Sequence, residues 1–295
     1  MRSLWFGVLV CAAMFVACSD DDSDFATRPS DRSSSSVCDD CDDGSSSSAK
    51  SSSSSAKSSS SATLANPCKT DSTDTCEYGE LLDDRDGQTY KTVKIGDQVW
   101  MAENLNYAYT GVPYEYTYNS VYTSDSSSWC YDNDSDNCTK YGRLYTWAAA
   151  MDSAGTWTTN GKGCGYYGEC SPSCPVRGIC PEGWHLPDTT EWQTLFDAVG
   201  GESTAGKVLK SASGWEDYKG ESGNGTDDFG FSALSVGIAV YNGDYYYEGR
   251  SVRFWSSTEC NSESGCRVTL AHDRGGVFLF RDLKSFGFAV RCLKD

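Results

Sequence analysis

The chain has 295 residues and a formal net charge of −18 at neutral pH. A surface this acidic repels phosphate backbones, which excludes nucleic acid as an expected partner and leaves neutral polysaccharide, protein and cationic surfaces open. Fifteen cysteines stand against two histidines, so covalent bracing is better provided for than histidine-based catalysis.

Taken in chain order, the first stretch is Met1-Arg2-Ser3 followed by an apolar run from Leu4 to Val16. One basic residue ahead of such a run fits a secretory signal and falls short of the roughly 20 residues of a spanning helix. Phe15-Val16-Ala17-Cys18 resembles a bacterial lipobox, in which Cys18 is acylated and becomes the mature N-terminus; Phe15 replaces the usual Leu. Ser19 and the aspartates at 20, 21, 22 and 24 are similar to the sorting and export signals of outer-membrane and surface lipoproteins. The expectation is a signal peptide over 1–17, a lipid on Cys18 and an outer-membrane location facing outward, with membrane contact through that lipid only. An ordinary signal cleaved near Ala17, with no lipid, is the alternative.

Residues 18–66 read as an acidic and then serine-rich tether, with "SSSSAKSSSSSAKSSSSA" as its repeating part. Lacking apolar side chains beyond Ala, the serine-rich part cannot offset the entropy of ordering and is expected to stay disordered. A flexible tether of about 45 residues reaches roughly 35–40 Å, enough to display a domain clear of a membrane.

An exported chain meets an oxidising compartment, so its cysteines read first as disulfides. Removing Cys11 with the signal and Cys18 to the lipid leaves thirteen, an odd number that requires a free or intermolecular thiol. Short loops suggest Cys68 with Cys76, Cys130 with Cys138, Cys260 with Cys266, and Cys38 with Cys41. Cys164, Cys170, Cys174 and Cys180 read either as further disulfides or as a zinc site, although their spacing does not repeat a paired CxxC.

From Pro67 to Asp295 the composition shifts to Trp, Tyr, Gly and Cys, and this segment is read as the folded domain. "TYKTVKIGDQVWM" (89–101) predicts a hairpin turning at Gly96-Asp97, and "LYTWAAAM" (144–151) a short helix. "LPDTTEWQTLFDAVGG" (186–201) is the clearest helix: Asp188 and Glu191 fit a capping box, Trp192, Leu195, Phe196 and Val199 share a face, and Gly200-Gly201 end it. "AGKVLKS" predicts a second helix. Strand-like runs follow: "FGFSALSVGIAVY", "SVRFWSST", "CRVTLA", "GVFLF" and "GFAVRCL", with turns at Asn242-Gly243 and Gly275-Gly276. Helices first and strands second, joined by long loops, argue for an α+β fold.

At "CPEGWHLPDTTEW" (180–192) and "GFAVRCLKD" (287–295) the sequence resembles the Fibrobacter succinogenes major paralogous domain. "VKIGDQVWMAENLNY", "CYDND…NC…YGRLYTWAAAM", "FGFSAL" and "FWSSTE" extend that resemblance over nearly all of residues 80–295. The family has no settled activity, so the likeness names a module and not a task. More distantly, "WHLPDTTEW" and "GFAVRC" are similar to formylglycine-generating enzymes and other C-type-lectin-like domains, which implies a disulfide-rich C-type-lectin-like α+β fold. That likeness also implies a bridge between Cys180 and Cys292.

Candidates for chemistry are few. His185 lies at the start of the helix motif and reads as packed and hydrogen-bonded, and no GxSxG accompanies His272 and Asp273. The formylglycine likeness implies an oxidase built on Cys260 and Cys266, but their spacing within "CNSESGC" fits a local disulfide equally well. No catalytic residue is therefore assigned, and an exported formylglycine-generating-type enzyme is the alternative function. Asp132, Asp134 and Asp136 alternate in a way that converges oxygens on calcium, or else form a solvated acidic loop, since Asn137 and Arg143 occupy the EF-hand Gly and Glu positions. No other cofactor is expected.

Binding has more to work with. In "YNGDYYYEGRSVRFW" (241–255), strand alternation puts Tyr245 and Tyr247 on one face, near Tyr241, Arg253 and Trp255. Such a cluster either stacks on sugar rings or grips a protein loop, or else fills the core, as Trp100, Trp147 and Trp192 are expected to do. The expectation is a surface-displayed, non-catalytic binding or adhesion domain for polysaccharide, with a structural envelope protein that binds another surface protein as the further alternative.

Overall fold

The computed structural model describes residues 63–109, 127–168 and 170–295. The signal, Cys18, Cys38, Cys41, most of the tether and the aromatic stretch from 110 to 122 lie outside the described residues. None of the described helices is long and apolar enough to cross a membrane.

The described chain opens with β1 (Tyr78–Asp83), β2 (Gln88–Ile95) and β3 (Gln98–Met101), an antiparallel meander. Its β2–β3 turn falls at Gly96-Asp97, where Gly96 has φ +59°. β4 (Ser128–Trp129), α1 (Ser135–Tyr141), β5 (Leu144–Tyr145), α2 (Trp147–Ala150) and β6 (Trp184–His185) follow. Then come α3 (Thr189–Ala198), α4 (Glu202–Leu209), β7 (Ile238–Ala239) and β8 (Tyr245–Tyr246). A long hairpin of β9 (Ser251–Glu259), β10 (Ser264–Ala271) and β11 (Val277–Leu283) precedes the short β12 (Leu293–Lys294). The fold is mixed α+β, with sheets predominating.

Two larger sheets carry the architecture, ordered β1-β2-β3-β12-β6 and β11-β10-β9. β12 enters the first sheet between β3 and β6, so the end of the chain is clamped by strands distant in sequence. Packing begins ahead of the composition shift at Pro67, because the Thr63 hydroxyl bonds Asp97 and the Ala65 amide bonds the Ala198 carbonyl.

The sequence explains α3 directly. The Asp188 side chain accepts from the Glu191 amide at 2.8 Å, and the Glu191 carboxylate accepts from the Asp188 amide at 2.8 Å, closing the capping box. Trp192, Leu195 and Phe196 are fully buried on the inner face. α4 packs against the β10–β11 connection so closely that a Cβ at Gly206 would come 2.3 Å from the Gly276 carbonyl oxygen.

There are two adjoining cores. One joins α3 to the inner face of β9–β11, with Trp192 set 4.6 Å from Trp100 and 5.6 Å from Phe254 between ring centres. The other gathers Tyr145, Trp147, Trp184, Trp255 and Phe288. Trp100, Trp147 and Trp192 are all fully buried.

Two expected strands are otherwise. Of "FGFSALSVGIAVY" only Ile238–Ala239 pairs in a ladder, because Ser232 (φ +53°) and Gly237 (φ +75°) turn the backbone out of the extended region. "GFAVRCL" forms single bridges to three different neighbours, Ala239, Tyr145 and Phe254, before β12. It acts as a seam between sheets.

Disulfides join Cys68–Cys76, Cys130–Cys138, Cys164–Cys170, Cys180–Cys292 and Cys260–Cys266. Cys174 is disulfide-bonded as well. The zinc reading of the 164–180 cluster is thereby corrected, since no cysteine of that cluster is left as a thiolate to bind metal.

Candidate functional site

The site grows from a single feature, the outward face of β9–β10–β11. Register places Arg253 beside Thr269 and Thr269 beside Phe278, while Trp255, Arg267 and Phe280 form the next row. Both rows point to the same side of the sheet, so Arg253 and Arg267 lie on a diagonal across β9 and β10 while Phe278 and Phe280 follow one another along β11. The second core covers one end of this face, burying Trp255 against Phe288 at 4.2 Å. The other end is open and forms a groove of about 460 Å3.

Phe278 and Phe280 are 45% and 65% exposed on the edge strand of this sheet. Two phenylalanines facing solvent two residues apart on a sheet edge are an interaction surface more than a packing residue pair. Tyr247, 50% exposed, forms the opposite wall.

Between the walls lie Arg253 and Arg267. Both guanidiniums donate to one oxygen, Oδ2 of Asp282, at 2.8 and 2.7 Å. Burial pulls Arg253 below its ordinary pKa, and the neighbouring Arg267 charge pulls the same way against Asp282. Arg253 Nε is buried with no hydrogen-bond partner. Arg250 and Arg274 flank the pair, each held by a carboxylate, Glu216 and Asp273 respectively. The groove is thus an aromatic-walled trough with a cationic floor in an acidic protein.

The sequence-predicted residues divide. Arg253 and Tyr247 line this groove. Trp255 faces no solvent, its indole N–H donating to the Tyr145 carbonyl at 2.7 Å, so its ligand role is corrected. Tyr245 and Tyr247 do not form an exposed pair on one strand face, because Tyr247 adopts φ +68° and breaks the alternation. Tyr245 turns onto Tyr131 at 5.2 Å, and its hydroxyl meets Asn133 Oδ1 at 2.9 Å. Tyr241 stacks on Phe286 at 6.1 Å, away from the groove.

The calcium triad is not assembled. Asp134 is the N-cap of α1 and accepts from the Asp136 amide at 2.9 Å, and Asp132 lies in the preceding turn at φ +54°. Among the described residues, no group of three or more His, Cys, Asp or Glu side chains could hold a metal ion. Cys260 and Cys266 close the β9–β10 hairpin as a disulfide, which removes the two thiols the oxidase reading requires.

His185 is buried between two carboxylates, Nε2 at 2.8 Å from Glu191 and Nδ1 at 2.6 Å from Asp295. Burial disfavours its charged form, but bonds and charges from Glu191 and Asp295 outweigh that, and the pKa is raised above 6.5. The position ties β6, α3 and the residue after β12 together. A raised histidine pKa contributes stability that is fully present below the unfolded value and lost as pH rises through the folded one. We expect unfolding free energy to decline through the range just above pH 6.5, and His185→Gln to flatten that decline. Urea titrations of both proteins across pH 5.5–8.5 measure it, and parallel pH profiles would refute the linkage.

The groove residues that sequence reasoning missed are Arg267, Phe278 and Phe280. Their signal was the pairing of Phe at alternate positions in "GVFLF" with Arg on the preceding strand, but Val277 and Leu279 made both faces of that strand apolar. No curated protein and no solved structure matches the chain. The model of one family, the Fibrobacter succinogenes major domain, matches residues 93–294, beginning within β2 and ending in β12. β1 lies ahead of the matched region yet pairs with β2 along its length. With more than half its length matched, and with the motifs at 180–192 and 287–294 inside that match, the chain belongs to the Fibrobacter succinogenes major domain family.

Proposed function

We propose that this protein is a cell-surface lipoprotein, anchored through Cys18 at the outer membrane, whose folded domain binds polysaccharide without catalysis on a C-type-lectin-like scaffold. The observation that carries the reading is the open groove with Tyr247, Phe278 and Phe280 exposed along its walls. Flat rings facing solvent across a trough of about 460 Å3 suit the apolar faces of sugar rings, and the trough is open enough to pass a chain. The serine-rich tether and the lipobox-like start support display.

The test is retention of the full chain, purified in detergent, on insoluble polysaccharides with and without chelator. Retention unaffected by chelator and lost in Phe278→Ala with Phe280→Ala is expected. Both side chains are exposed, so folding should persist. No retention on any polysaccharide, together with a specific surface protein captured by crosslinking, would replace the glycan with a protein partner.

A further inference from the structure

The chain's overall charge favours neutral or cationic partners, yet the groove on the β9–β10–β11 face is floored by arginine. We infer that the groove selects acidic polysaccharide, with Arg253 and Arg267 receiving a carboxylate on a sugar ring that packs against Phe278 and Phe280. This rests on the reading that the groove binds polysaccharide.

Charge bookkeeping within the groove is the first argument. Arg250 and Arg274 each have their own carboxylate, whereas Arg253 and Arg267 share the single oxygen Oδ2 of Asp282. Two guanidiniums on one carboxylate leave a positive excess between them. Both side chains keep some accessible surface, 19% for Arg253 and 11% for Arg267, so a ligand in the groove can reach them. A second carboxylate entering here would restore the charge balance, and planar guanidinium forks match carboxylate geometry.

Spacing is the second argument. Neighbouring strands lie about 4.8 Å apart, so Arg253 on β9 and Phe278 on β11 are separated by roughly 10 Å, the scale of a pyranose ring with its carboxylate. Arg267 already lies 5.7 Å from the Phe280 ring centre, which keeps cation and ring in one unit. Distance also resolves the conflict with the acidic whole. At physiological salt the Debye length is about 8 Å, so exposed carboxylates elsewhere are largely screened from this floor.

The experiment compares the full chain on polygalacturonate, on the same polymer methyl-esterified, and on a neutral glucan, at 50 and 300 mM salt. Affinity at least tenfold higher for the acidic polymer than for its ester, weakened by salt, is expected. Arg253→Gln should erase that preference, bringing the acidic polymer down to the level of its ester in a variant whose circular dichroism shows it folded. Asp282→Asn, which removes the competing carboxylate, should move it the opposite way. Equal binding of acid, ester and glucan would overturn the inference and leave polysaccharide binding standing. Acid preference persisting in a folded Arg253→Gln variant would overturn it too. Binding to none of the three would overturn the inference, and polysaccharide binding falls with it if retention on the insoluble polymers is absent as well. The wild-type comparison of acid with ester needs no variant, so it holds even if a substitution impairs folding.

Discussion

Replacing both Cys180 and Cys292 by alanine is expected to lower unfolding free energy by ~4–5 kcal/mol and the melting temperature by roughly 10–20 °C. The pair is fully buried, and its Cα atoms lie 5.9 Å apart across a sequence separation of 112 residues. In the chain-entropy model the cost grows with the logarithm of the loop, so this link outweighs the Cys68–Cys76 loop of separation 8, worth ~2.5 kcal/mol. Local architecture sharpens the argument. β12 has two residues, and its ladder consists of Leu293 opposite Trp100 and His185, and Lys294 opposite Trp184. A strand so short holds its place in the five-stranded sheet because the neighbouring Cys292 is bolted to Cys180. Urea unfolding of the oxidised protein, with a non-reducing peptide map to confirm the link, measures the effect. A loss no larger than that of Cys68→Ala with Cys76→Ala would show that β12 needs no such bolt.

How much of this was legible depended on whether the signal was local. The capping box of α3, the Gly96-Asp97 hairpin and the three strands of the long hairpin follow from spacing within a few residues, and each lies where periodicity put it. Residues 229–240 and 287–292 are largely buried on both faces. They read as strands but thread between layers, each extended residue finding a different partner. Periodicity cannot distinguish a buried strand from a buried seam. The site was obscured for a related reason. Alternation correctly puts Trp255 on the face of Arg253, but only the fold reveals that a second core covers that end of the sheet. Alternation also fails at Tyr247, where one left-handed residue redirects the ring. Arg253 was visible among its aromatic neighbours; its pairing with Arg267 and Asp282 required strand register.

The second large effect is expected at Arg291, which lies within the seam and is fully buried. Its guanidinium donates to Asn104 Oδ1 at 2.8 Å, to the Met101 carbonyl at 3.3 Å, to the Ser232 carbonyl at 3.0 Å and to the Phe231 carbonyl. Phe231 and Phe254 flank it, with ring centres 4.3 and 5.5 Å from the guanidinium carbon. Burial draws its pKa down to about 9, which still leaves it protonated at neutral pH. Among the described residues no carboxylate is within ion-pair distance, so carbonyl dipoles and ring faces, with the more distant charges of Asp227 and Glu103, offset the desolvation. The Phe231 and Ser232 carbonyls belong to a segment without a regular ladder, and Arg291 is what satisfies them. Arg291→Met keeps the volume but orphans several buried acceptors, each worth ~1–3 kcal/mol, so a net loss of about 3–5 kcal/mol is expected after the relieved desolvation is counted. Arg291→Lys should recover only part, because an ammonium cannot span acceptors arranged for a planar fork. Chemical denaturation of the three proteins gives the order Arg, Lys, Met. If Met proves as stable as Arg, the buried cation is dispensable to the fold, and aromatic packing by Phe231 and Phe254 holds the seam unaided.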